Sequence, residues 1–132
     1  MLQTELAQQR VFIVGLGELL DDGVSHLLSS RRPDFIVSHV IYSSDFAFMD
    51  TIESAQPNVI VICESEALDT VRILDLISAY PIVAKLRIIV IRHRNNVIDI
   101  YAEIKIISGK ISCSLSKITA RNEDDLLNAF VC

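Results

Sequence analysis

No run of about 18 apolar residues occurs in this 132-residue chain, so no segment has the length of a membrane-crossing helix. The opening stretch, MLQTELAQQR, lacks a basic region leading into an apolar one. It carries no secretory signature, and a cytoplasmic location with no membrane partner is expected. Cysteine is sparse and odd in number: Cys63, Cys113 and Cys132, with no C-x-x-C pair. That argues against a disulfide framework and against a zinc site. His26, His39 and His93 are far apart and lack ligand spacing, so no metal and no cofactor are expected. Positive charge is in deficit, 12 Lys and Arg against 17 Asp and Glu, for a net charge of −5. A chain that binds nucleic acid needs clustered cations for phosphate, so that partner is disfavoured. The one basic concentration is Arg87, Arg92, His93 and Arg94. It reads either as a solvated strand end and turn or as a site for an anion or an acidic partner. No linker, internal repeat or low-complexity segment interrupts the chain. Residues 1–9 read as a polar lead-in and 10–132 as one domain, with 51% hydrophobic residues to build its core.

What is present alternates. RVFIVG (10–15) is rich in β-branched residues and ends at Gly15 and Gly17, as a buried strand does. From Glu18 the period becomes helical, with Leu20, Val24, Leu27 and Leu28 on one face and Arg31, Arg32 and Pro33 as the stop. DFIVSHVIY (34–42) is a second strand. Ser43, Ser44 and Asp45 supply a cap, and Phe46, Met49 and Ile52 mark a short helix that Pro57 and Asn58 break. VIVIC (59–63) is apolar at every position, so helices should cover both of its faces. Ser65 is the expected cap of the next helix, with Leu68, Val71, Leu74 and Ile77 on its inner face. RIIVIR (87–92) is a fourth strand. Such alternation predicts parallel strands, right-handed crossovers and a doubly wound α/β sheet, with functional groups at the carboxyl ends of the strands.

After residue 92 the helical period is lost. Asn95-Asn96 and Ser108-Gly109 are turn signals between strand-like runs, predicting two or three antiparallel strands over 97–116. Asn122 then caps a last helix through Val131, with Asp124 and Asp125 in its first turn and Leu126, Leu127 and Phe130 inward.

Between residues 10 and 92, and more weakly over 115–131, the pattern resembles the receiver domain of two-component response regulators. The resemblance implies a flavodoxin-like, three-layer α/β/α sandwich, here with antiparallel strands in place of the fourth helix. In that family the first strand ends in an acidic pair that holds magnesium, and the third ends in a phosphoaccepting aspartate. The fourth ends in Ser or Thr, and the fifth in a lysine. The matching positions here are degenerate: Gly15 and Leu16 for the acidic pair, and Cys63 closing PNVIVIC for the acceptor. Arg92, or His93 with a one-residue shift, stands at the Ser/Thr position, and Lys117 at the lysine. Phosphoryl transfer to aspartate needs a carboxylate nucleophile and a hard cation on oxygen ligands, and a thiol supplies neither. The resemblance therefore implies a pseudo-receiver, a non-enzymatic signalling module that keeps the scaffold without the chemistry. Cys63 itself reads as a small packing residue, a reactive thiol or, least, a phosphoacceptor.

Other motifs leave alternatives. Gly15-Leu16-Gly17 has two glycines of a dinucleotide fingerprint, but Leu20 replaces the third, and Asp34 precedes the second strand rather than ending it. A small-ligand site using Gly15, Gly17, Glu18 and Glu64 is the competing reading, including a two-carboxylate metal site from Glu18 and Glu64. Glu18, Asp21 and Asp22 otherwise serve the helix dipole, and His39 reads as a satisfied structural histidine. No Ser-His-Asp or Cys-His pattern has supporting context. Finally, Ile104, Ile106, Ile107 and Ile111, guarded by Lys105 and Lys110, predict a sheet edge that forms a homodimer or docks a protein partner.

Overall fold

The strand apolar at every position is the centre of the molecule. β3 (Val59–Cys63) is buried along its whole length. It pairs in parallel with β1 (Gln9–Gly15) on one side and with β4 (Lys85–Arg94) on the other. β2 (Phe35–Ile41) lies parallel outside β1. The computed structural model describes residues 9–78, 85–94, 97–107, 110–114, 118–120 and 122–128. Within them the chain forms a seven-stranded sheet in the order β2-β1-β3-β4-β5-β6, with β5 spanning Val97–Ile107 and β6 Lys110–Ser114, while β7 (Ile118–Ala120) also pairs with β5. The α/β class and the parallel order of the first four strands follow the sequence pattern.

Helices cover both faces, as a strand without a polar side requires. Helix α1 (Leu19–Arg31) and helix α4 (Glu123–Asn128) close one face. Val24, Leu28 and Leu126 pack there with Val11, Ile13, Val61, Cys63 and Ile89. Helices α2 (Asp45–Ala55) and α3 (Thr70–Ser78) close the other, where Phe48, Ile52, Ile73 and Ile77 meet Phe12, Ile60, Ile62 and Ile88. Each such aliphatic side chain contributes roughly 1.5–3 kcal/mol on burial. Among the described residues, no helix is long and apolar enough to cross a membrane.

Helix faces depart from the sequence reading in two places. Phe48, not Phe46, is the inward aromatic of α2, and Phe46 is 82% exposed. Ser44 does cap α2, accepting from the Ala47 N–H at 3.1 Å. In α3 the inner face is Ile73 and Ile77 with Leu74, while Val71 is exposed. The cause is a later start. Asp69, not Ser65, caps this helix, its Oδ1 accepting from the Arg72 N–H at 3.1 Å. Leu68 packs from the preceding turn instead. At the last helix Asn122 does cap, accepting from the Asp125 N–H at 2.9 Å.

Beyond β4 the chain reverses. β5 runs antiparallel to β4, and β6 and β7 run antiparallel to β5. A bulge between Val90 and Ile91 leaves Tyr101 as the extra residue on β5. Past it, β5 exchanges its outer partner, from β6 at residues 103–107 to β7 at residues 98–100. The sheet edge expected within residues 97–116 falls on β6. Ile104, Ile106 and Ile107 lie on β5, which is paired with β4 on one side and β6 on the other. The outer strand is β6, which carries Ile111 and Lys110, while Lys105 lies on β5.

Candidate functional site

In a sheet of this winding the crevice lies where neighbouring strands send their chains to opposite sides, outside the carboxyl ends of β1 and β3. The first residue there is Gly15. A Cβ at this position would stand 2.6 Å from Asp21 Cγ, so the missing side chain is what lets a carboxylate fold back against the strand end. Gly17 follows with φ +83°, a left-handed conformation that glycine adopts without steric cost. The turn these two residues make aims two backbone N–H groups inward, and Asp21 takes both. Its Oδ2 accepts from Gly17 N at 2.8 Å and its Oδ1 from Glu18 N at 3.0 Å. Asp21 is only 1% exposed.

Its third partner comes from the next strand. His39 on β2 places Nε2 2.8 Å from Asp21 Oδ2, and its Nδ1 lies 3.3 Å from Asp22 Oδ1. Tyr42 N also donates to Gly15 O at 2.8 Å, tying the end of β2 to the same turn. The strand ends are thus joined by a carboxylate held on three sides. A buried carboxylate is tolerated only when hydrogen-bonded in this way.

Cys63 closes β3 beside this group. It is 3% exposed and belongs to the core on the α1 side. Burial pushes its thiol well above the usual range, and the nearby Asp21 charge pushes it further in the same direction. A thiol so placed stays protonated at neutral pH and is a poor nucleophile. One residue on, Glu64 N donates to Ile91 O at 2.9 Å, and the Glu64 carboxylate accepts from Arg92 Nε at 2.9 Å. Arg92 is in register with Asp99 of β5. Asp99 is buried and accepts from Thr119 Oγ1 of β7 at 3.0 Å. A line of polar groups therefore runs along the strand ends from β3 to β7.

The residues singled out in the sequence separate accordingly. Gly15 and Cys63 come together at the crevice, and Leu16 turns toward the core on the α2 and α3 side. Glu64, which the sequence reading set beside Glu18, is paired with Arg92. Among the described residues no group of three or more His, Cys, Asp and Glu is placed to hold a metal ion. The Gly15–Glu18 turn does not offer its amides to a phosphate, since Gly17 N and Glu18 N already donate to Asp21. Lys117 lies outside the described residues. The group that sequence reading missed is the Asp21–His39 pair. An acid three residues after the helix cap was its available signal, because that spacing lets the side chain reach back to the cap backbone.

No protein family model, curated protein or solved structure matches this chain.

Proposed function

We propose that this chain is a cytoplasmic, non-enzymatic signalling module. It is a receiver-like domain of flavodoxin-like winding that binds protein and is not phosphorylated on aspartate. The carrying observation is the composition of the strand-end crevice. At the end of the third strand, where a receiver presents its acceptor aspartate, the chain has the buried, protonated Cys63. The carboxylate nearest to it, Asp21, is turned inward and held by Gly17 N, Glu18 N and His39. Neither group can attack a phosphorus atom without breaking the interior. The strand order β2-β1-β3-β4 and the placement of α1 and α4 opposite α2 and α3 support the receiver-like scaffold. The β4–β5 reversal supports a changed output side.

The test is incubation with acetyl phosphate and magnesium, followed by intact-mass measurement before and after mild acid. An unchanged mass is the expected result. A phosphoryl adduct on this chain sinks the reading.

A further inference from the structure

Five large apolar side chains are exposed among the described residues: Leu19, Ile36, Ile41, Phe46 and Val71. Four of them ring one edge of the molecule. Leu19 opens α1, Ile41 closes β2, and Phe46 and Val71 are the second residues of α2 and α3. In parallel β-α units the carboxyl ends of the strands and the first turns of the helices share an edge. Contacts join these positions. Ile41 Cδ1 lies 3.4 Å from where a Cβ on Gly17 would stand, two residues before Leu19. The Tyr42 hydroxyl bonds Asp45, and Arg72 Nε donates to Asp45 at 2.7 Å, linking the start of α2 to the start of α3. Ile36 alone lies toward the opposite end of β2. Leu19 is 90% exposed and Phe46 82%.

Exposed carboxylates stand along the same edge: Glu18, Asp22, Glu66 and Asp69. Of the arginines there, Arg72 is held by Asp45 and Arg92 by Glu64. The macrodipoles of α1 and α3 account for acids near the first turns. They do not account for the apolar side chains beside them, because a polar residue at those positions serves a helix equally well.

We infer that this edge docks a cationic amphipathic helix from a protein partner. Leu19, Ile41, Phe46 and Val71 take its apolar stripe, and the carboxylates take its Lys and Arg. A second copy of this chain would bring like charge against like, and an anionic membrane would be repelled. The inference rests on the proposed role as an interaction module and names the chemistry of what that module binds.

The probe is a synthetic Leu/Lys peptide of about 18 residues with leucine at helical spacing. Its binding to the full chain is followed by fluorescence anisotropy. The doubly substituted Leu19→Ser/Phe46→Ser protein should weaken binding about tenfold or more, and Glu66→Lys should weaken it and flatten its salt dependence. Ile36→Ser should leave it unchanged, and thermal melting checks that each variant folds. Absence of binding overturns the inference, as does binding indifferent to both the Leu19/Phe46 and the Glu66 changes. Self-association, or attachment to phosphatidylglycerol vesicles, that is lost in the double variant overturns it in favour of another occupant. If the peptide fails to bind while no phosphoryl adduct forms, only this inference falls. If an adduct forms while the edge still binds the peptide, the reading as a module without phosphoryl chemistry falls and the docking edge stands.

Discussion

Asp21 occupies its place because Gly15 has no side chain. Gly15→Ala would drive a methyl group to 2.6 Å from Asp21 Cγ, and Asp21 cannot swing away without leaving three partners. The expected cost is roughly 1–3 kcal/mol, as for other overpacked sites. In an Asp21→Ala background the same change should cost little, so a double-mutant cycle in urea should show strong coupling. Additive effects would show that the glycine and the carboxylate are independent. Cys63 has a simpler test. With Cys113 and Cys132 replaced by serine, iodoacetamide should label the protein only after denaturation, because the remaining thiol is buried and held protonated. Rapid labelling of the folded protein would return it to the class of reactive thiols. At this scale the sequence was partly legible. Cys63 as a packing residue and His39 as a satisfied histidine could be read from their surroundings in the strands. Their convergence on Asp21 could not, because it depends on parallel pairing that brings His39 opposite Ile13.

Among the elements, the start of α3 separates pattern from geometry. Ser65 and Asp69 are both residues that cap helices, and only the hydrogen bond to Arg72 N distinguishes them. Asp69→Ala should lower stability by about 1 kcal/mol, as loss of a cap does. Ser65→Ala should be neutral or slightly stabilising, since the Ser65 hydroxyl is buried without a hydrogen-bond partner. Urea denaturation of the two variants decides it, and the reverse order would move the cap back to Ser65. The parallel strands were legible because unbroken apolar runs admit few alternatives. β5 was legible as strand but not in its register. Ile91 is paired with Ile100 and Val90 with Ala102, and this shift at the bulge is what simple alternation does not anticipate.

Acid should unfold the whole molecule progressively. Protonating its 17 Asp and Glu leaves 12 Lys and Arg without counter-charge. One contribution is separable. The hydrogen bonds from Arg32 hold the Asp34 carboxyl below its usual range, against a smaller opposing effect of burial. A depressed carboxyl stabilises the fold above its unfolded value, near 3.9, and that stability is lost as pH falls through the folded one. The pair is about one-third exposed, so its share is a few tenths to about 1 kcal/mol. Asp34→Asn should thus be less stable than the parent at about pH 6 and converge with it below about pH 3. Urea midpoints at the two pH values measure this, and a gap that persists in acid would trace the loss to something other than charge.

The reversal after β4 also bears on how the chain reaches its native state. Arg94 pairs with Val97 and Ile107 with Lys110, so these ladders begin at tight, local closures, whereas Val11 must find Val59 across a helix, a strand and a second helix. Loop-closure entropy grows with separation, and local contacts therefore form at lower entropic cost. The β4–β5–β6 meander is the segment placed to order first, offering the free edge of β4 as a template on which β3, then β1, then β2 can assemble. A crossover helix in place of this meander would put the next strand pairing at the far end of a longer loop, so the reversal supplies a local starting point that a fully parallel sheet lacks.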